Sequence, residues 1–90
     1  MKITALKLQF IINAPDTLEE GVFYYSPAFQ TSLHLCPCGC GNEIVIPFTK
    51  DDWELLIVNN LTITVRPSIG NFYLPCKSHY YITNNTIEWC

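Results

Sequence analysis

A chain of 90 residues with a net charge of −3 is one domain's worth of polypeptide, too short for a second core. Nearly half of it is apolar and 14% is charged, which excludes a disordered chain. Its five Lys and Arg are scattered, which argues against nucleic acid as a partner. No stretch reaches the roughly eighteen apolar residues of a membrane helix, and no signal-peptide pattern opens the chain. A soluble, cytoplasmic protein without a membrane partner is expected.

Residues 3–12 alternate imperfectly between apolar and polar, which suits a strand buried on one face, until Asn13-Ala-Pro-Asp16 breaks it. Val22-Phe-Tyr-Tyr25 is β-rich in composition. Ser26 and Pro27 have the chemistry of an N-cap and a first helical residue, so one short helix is expected to start there. Leu33-His-Leu35 leads into Cys36-Pro-Cys-Gly-Cys-Gly-Asn-Glu43, after which residues 43–48 read as a strand with Pro47 marking an edge. Residues 53–58 and 61–65 flank Asn59-Asn60, and residues 78–83 and 86–89 flank Asn84-Asn85. Asn tolerates positive φ, so both pairs predict two-residue hairpin turns. Residues 66–75, with Pro67, Gly70 and Pro75, read as a loop returning the chain to Cys76. An all-β, mainly antiparallel, hairpin-rich domain over residues 1–90 is expected.

Three thiols within five residues, with a fourth at Cys76, gather soft ligands around one ion, for which Zn²⁺ in a tetrahedron is the natural occupant. In a straight strand Cys36, Cys38 and Cys40 would be spaced ~6.6 Å apart, whereas tetrahedral Zn–S bonds bring sulfurs to roughly 3.8 Å. The segment must curl, and Pro37, Gly39 and Gly41 permit it. Cys76 is the expected fourth ligand and His79, at Cys-x-x-His spacing, its rival. Cys90 lies at a terminus prone to fray and is left out. The competing explanation is reduced core thiols or a disulfide, but three cysteines beside Pro and Gly are poor packing material. Such a zinc site would staple a domain too small for a large core.

Clamping the cysteine loop to the last hairpin would gather His34, Ser78 and His79. Ser78 shares a strand face with Cys76, so Ser78 as nucleophile with His34 as base is geometrically possible, with His79 the other candidate base. Glu43 could orient a histidine or exchange protons itself. The loop around Ser68 and Gly70 could supply backbone donors to an oxyanion. Each has a purely structural reading: a satisfied hydroxyl, a donor to a thiolate, a ligand, a turn.

Taken in order, the blocks His34-Leu-Cys-Pro-Cys-Gly-Cys-Gly-Asn-Glu43, Arg66-Pro-Ser-Ile-Gly-Asn71 and Pro75-Cys-Lys-Ser-His-Tyr-Tyr-Ile82 resemble the bacterial domain-of-unknown-function family 6527 over essentially the whole chain. One position departs mildly, with Tyr81 where Trp is common. The resemblance implies a place beside bacterial ubiquitin-like modifiers and their conjugating enzymes. It implies a peptidase or isopeptidase acting on a ubiquitin-like protein or its conjugates, with metal-binding cysteines and with His34, Ser78 and His79 as the polar residues of interest. No His-Glu-x-x-His pattern of a zinc protease is present. Aromatics such as Tyr24, Tyr25, Phe72, Tyr73 and Tyr80 could line a groove for an extended tail. The alternative from another class is a non-catalytic zinc module that docks a partner protein.

Overall fold

A computed structural model describes residues 2–90 as two four-stranded sheets. The first is ordered β1 (Lys7–Phe10), β2 (Val22–Ser26), β3 (Thr31–Leu35), β4 (Glu43–Pro47). The second is β5 (Glu54–Val58), β6 (Thr62–Gly70), β7 (His79–Thr83), β8 (Thr86–Trp89). Every neighbouring pair is antiparallel except β1–β2, which is parallel. Alternation sets the packing. Ile44 and Ile46 of β4, Ile63, Val65 and Ile69 of β6, and Tyr80 and Ile82 of β7 are all nearly inaccessible and join one apolar cluster between the sheets. Each such side chain contributes roughly 1.5–3 kcal/mol by leaving water.

The first segment links the sheets. Ala5 bridges Thr86, and Leu6 N–H donates to the Asn85 carbonyl at 2.7 Å, before Lys7 joins β2. The β8 edge is thereby partly covered, while β4 and β5 keep open outer edges. Both Asn pairs make the expected hairpin turns, with φ of 54° and 58° at Asn59 and Asn60 and 47° and 69° at Asn84 and Asn85. No helix forms among the described residues, and none is long and apolar enough to cross a membrane.

Two sequence expectations change. Ser26 behaves as a cap, its Oγ accepting from Phe29 N–H at 3.4 Å, but Gln30 turns to a φ of 49° and Thr31 enters β3, so a turn replaces the short helix. Residues 66–70, expected in a loop, continue β6. Val65 pairs with Ile82 and Ile69 with Tyr80, so Arg66, Pro67 and Ser68 together oppose Tyr81 alone. This bulge accommodates Pro67, which has no N–H for the ladder. Arg66 holds it shut, donating to the Val65 carbonyl (2.9 Å), the Ile82 carbonyl (3.2 Å) and Thr83 Oγ1 (2.8 Å) while covering the Tyr81 ring.

Candidate active site and metal centre

The cysteine loop curls as its glycines require. Gly39 and Gly41 take φ of 90° and 84°, Gly39 N–H bonds the Cys36 carbonyl at 3.1 Å, and Cys36 N–H bonds that of Asn42 at 2.8 Å. The four sulfurs of Cys36, Cys38, Cys40 and Cys76 then lie within 4.8 Å of one another. Cys36–Cys38 is 3.4 Å, Cys36–Cys76 3.9 Å and Cys40–Cys76 3.7 Å. A tetrahedral thiolate site needs about 3.8 Å, so the donor set and its spacing fit a single soft cation, and the cluster can hold one. Cys90 and His79 lie outside this cluster.

The thiols differ in readiness. The Asn42 backbone N–H, helped by its side-chain amide at 3.1 Å, holds Cys40 down to about 6. The Ser78 backbone N–H likewise lowers Cys76. Burial raises Cys36, and desolvation with a neighbouring thiol pushes Cys38 up to about 12. Cys40 and Cys76 are thus the thiols more readily deprotonated, and a cation that binds displaces the remaining protons.

His34 does not reach this centre. It lies fully buried between the sheets, Nε2 bonded to Tyr80 Oη at 2.7 Å and its ring stacked on Phe23, with Nδ1 lacking any partner. Burial holds it neutral, with a pKa lowered to about 3. Ser78 is also buried, and both sides of its hydroxyl are engaged: Asn71 Nδ2 donates to Oγ at 2.8 Å, and Cys36 Sγ lies at 3.2 Å. It therefore lies beside the metal centre, but through the turn before β7, where Lys77 takes a φ of 47°, and not through a strand face shared with Cys76, and it has no histidine within bonding reach. Glu43 is exposed at the start of β4, with no hydrogen bond to a histidine. Tyr24 and Tyr80 belong to the interior, whereas Phe72 and Tyr73 are exposed.

The serine–histidine pair that does form is Ser68 Oγ with His79 Nε2, at 2.7 Å. Its origin is geometric. Ile69 and Tyr80 point into the core, so their neighbours Ser68 and His79 emerge on the solvent face of adjacent strands, both half-buried. The bulge brings Ser68 to the point where His79 can meet it. Gly70 pairs with His79 and has no Cβ. A Cβ there would come within 2.7 Å of the Phe72 ring, which instead folds back to lie 5.2 Å from the His79 ring. Cys90 N–H bonds the His79 carbonyl at 3.0 Å from the other side.

In the sequence Ser68 reads as part of a loop, a turn or a source of oxyanion donors, and not as a nucleophile. The signal that finds it is the two-residue period, but Pro67 and Gly70 hide that period by reading as strand breakers.

Two open spaces lie near the pair, one against the bulge residues Arg66 and Pro67 and one against His79. A cleft of about 760 Å³ is lined by Asp51, Asp52, Arg66, Pro67, Tyr81 and Trp89 among others. A smaller one of about 240 Å³, bounded by Cys38, Cys76, His79 and Trp89, lies toward the metal centre. His79 borders the second space, Trp89 borders both, and the first reaches the bulge through Arg66 and Pro67, the residues just before Ser68.

A family model described as bacterial ubiquitination-like system serine protease (BubE) matches residues 10–90. No curated protein and no solved structure matches the chain.

Proposed function

Because the chain belongs to the bacterial ubiquitination-like system serine protease family (BubE), we propose that it cleaves a peptide or isopeptide bond at the C-terminus of a ubiquitin-like protein, with Ser68 as nucleophile and His79 as base. The observation that carries the assignment is the 2.7 Å contact between Ser68 Oγ and His79 Nε2 on an accessible face. Nucleophile and base within hydrogen-bond reach is the signature of an activated serine. Ser68 Oγ attacks the scissile carbonyl while His79 Nε2 takes its proton. The tetrahedral intermediate collapses to an acyl-enzyme as His79 returns that proton to the leaving amine. Water, deprotonated by the same ring, then releases the modifier's carboxylate.

The extended tail of the substrate lies in the cleft between the Asp51–Asp52 turn and the Tyr81–Trp89 side of the second sheet, with its carbonyl presented at the bulge. Cys36, Cys38, Cys40 and Cys76 hold structural Zn²⁺, whose chemistry is that of a closed four-thiolate crosslink with no position left for an activated water. The zinc ties the loop after β3 to the approach to β7, so residues 1–90 work as one zinc-stapled β domain. A reducing cytoplasm keeps the thiols available for it.

Ser68 is preferred to Ser78 because Ser78 is buried, doubly bonded through its hydroxyl and without a histidine. The test compares Ser68→Ala, Ser78→Ala and wild type on a ubiquitin-like protein carrying a C-terminal extension. Ser68→Ala should retain zinc and fold yet lose activity by about three orders of magnitude or more, while Ser78→Ala keeps readily measured activity. Full activity in Ser68→Ala would dismiss the assignment. Absence of activity in every protein, wild type included, would favour a zinc module that only docks the modifier.

A further inference from the structure

The polar atoms left over by this chemistry form a connected chain. Asn71 Nδ2 donates to Ser78 Oγ at 2.8 Å, and an amide NH₂ cannot accept in return. The serine's own proton is therefore directed at Cys36 Sγ, 3.2 Å away. The same two residues are joined through the main chain, Asn71 N–H to the Ser78 carbonyl at 2.8 Å. Asn71 is 1% exposed, Ser78 6% and Cys36 1%, so water cannot readily substitute for any of these bonds.

Taking the Ser68–His79 pair as the reacting groups, we infer that Asn71 and Ser78 are positioning residues, a buried relay through which the Cys36 thiolate of the metal centre fixes the alignment of His79 with Ser68. At one end, a hydroxyl donating to a metal-bound thiolate makes a charge-assisted bond that orients the ligand and slows its loss. At the other, His79 follows Ser78 directly. Asn71 follows Gly70, the residue paired with His79, and Ser68 lies two residues before Gly70. The Asn71–Ser78 clamp thus closes the β6–β7 ladder immediately beside the dyad. Misplacement of a reacting group by about 1 Å can lower turnover on the order of 10²-fold, so a small slackening here is felt at the bond-making atoms.

The experiment uses the zinc-loaded chain and the variants Ser78→Ala and Ser78→Thr, with two readouts. One is the rate of zinc transfer to a chromophoric chelator, and the other is kcat and KM on the extended modifier. Ser78→Ala should release zinc about tenfold faster or more. Its kcat should fall about 10- to 100-fold at unchanged KM. Ser78→Thr, which keeps the hydroxyl, should restore both to within about threefold of wild type. Should Ser78→Ala fail to fold, Asn71→Asp, which removes the donor at constant size, must give the same paired effects. Zinc release within about twofold of wild type, or faster release with kcat unaffected, overturns the relay. So does a loss of kcat that threonine does not repair. Failure of the dyad itself is a separate result, read from Ser68→Ala, and leaves the zinc-release rates as they are.

Discussion

Replacing Tyr80 by Phe removes the interior hydrogen bond to His34 and tests how the two sheets are held together. The ring is inaccessible and packs against Trp89 at 5.5 Å, so phenylalanine keeps its shape and contacts. What disappears is the hydroxyl 2.7 Å from His34 Nε2. His34 Nδ1 already has no partner, so the variant leaves a fully buried imidazole with both nitrogens unpaired. A buried polar group stripped of its partner costs about 1–3 kcal/mol. Protonation gives no relief near neutral pH, because burial lowers the ring's pKa to about 3. At about 4–8 °C per kcal/mol for a domain of this size, the melting temperature should drop by roughly 10 °C. Urea unfolding of the zinc-loaded protein measures the effect. A second background makes it specific: on His34→Leu there is no imidazole to orphan and the Tyr80 hydroxyl has itself lost this partner, so Tyr80→Phe should no longer destabilise. An equal loss in both backgrounds would refute the argument.

Three further outcomes follow from the same geometry. Chelation of zinc removes a crosslink between residues forty apart in sequence, worth about 4 kcal/mol by the loop-closure relation for disulfides, and circular dichroism should report loss of cooperative structure. Cys76→Ser should mimic chelation, whereas Cys90→Ser should leave one zinc per chain by elemental analysis, because Cys90 lies apart from the cluster. Acid lability should carry a His34 component. Between pH 6.5 and about 3 the unfolded state binds a proton that the native ring refuses, so stability declines with falling pH by about 1.4 kcal/mol per unit and is unaffected above that window. His34→Leu should flatten that part of the urea-midpoint profile relative to wild type, and parallel profiles would contradict it.

The sequence made some of this legible and concealed the rest for physical reasons. The cysteine cluster was readable because thiolate chemistry dictates both residue type and the need for a curl at Gly39 and Gly41. The hairpins were readable because Asn59-Asn60 and Asn84-Asn85 advertise positive φ locally. The alternation that turns Ser78 inward and His79 outward was also in the residues. Where a side chain's role depends on register between strands remote in sequence, local pattern was silent. The bulge at Arg66, Pro67 and Ser68 looks like a loop until Tyr81 is known to lie opposite. His34 lies only two residues before the first cysteine, yet strand alternation and Tyr80 draw it between the sheets instead of to the metal. The expected helix failed at one residue, Gln30, whose positive φ no propensity signals.

The most direct measurement is the site of covalent capture by a fluorophosphonate that reports activated serines. After reaction with the zinc-loaded chain, peptide mass spectrometry should find the adduct on Ser68, with His79→Ala suppressing it and Ser78 unmodified. An adduct on Ser78, or efficient labelling of Ser68 that survives loss of His79, would contradict the pairing on which the account depends.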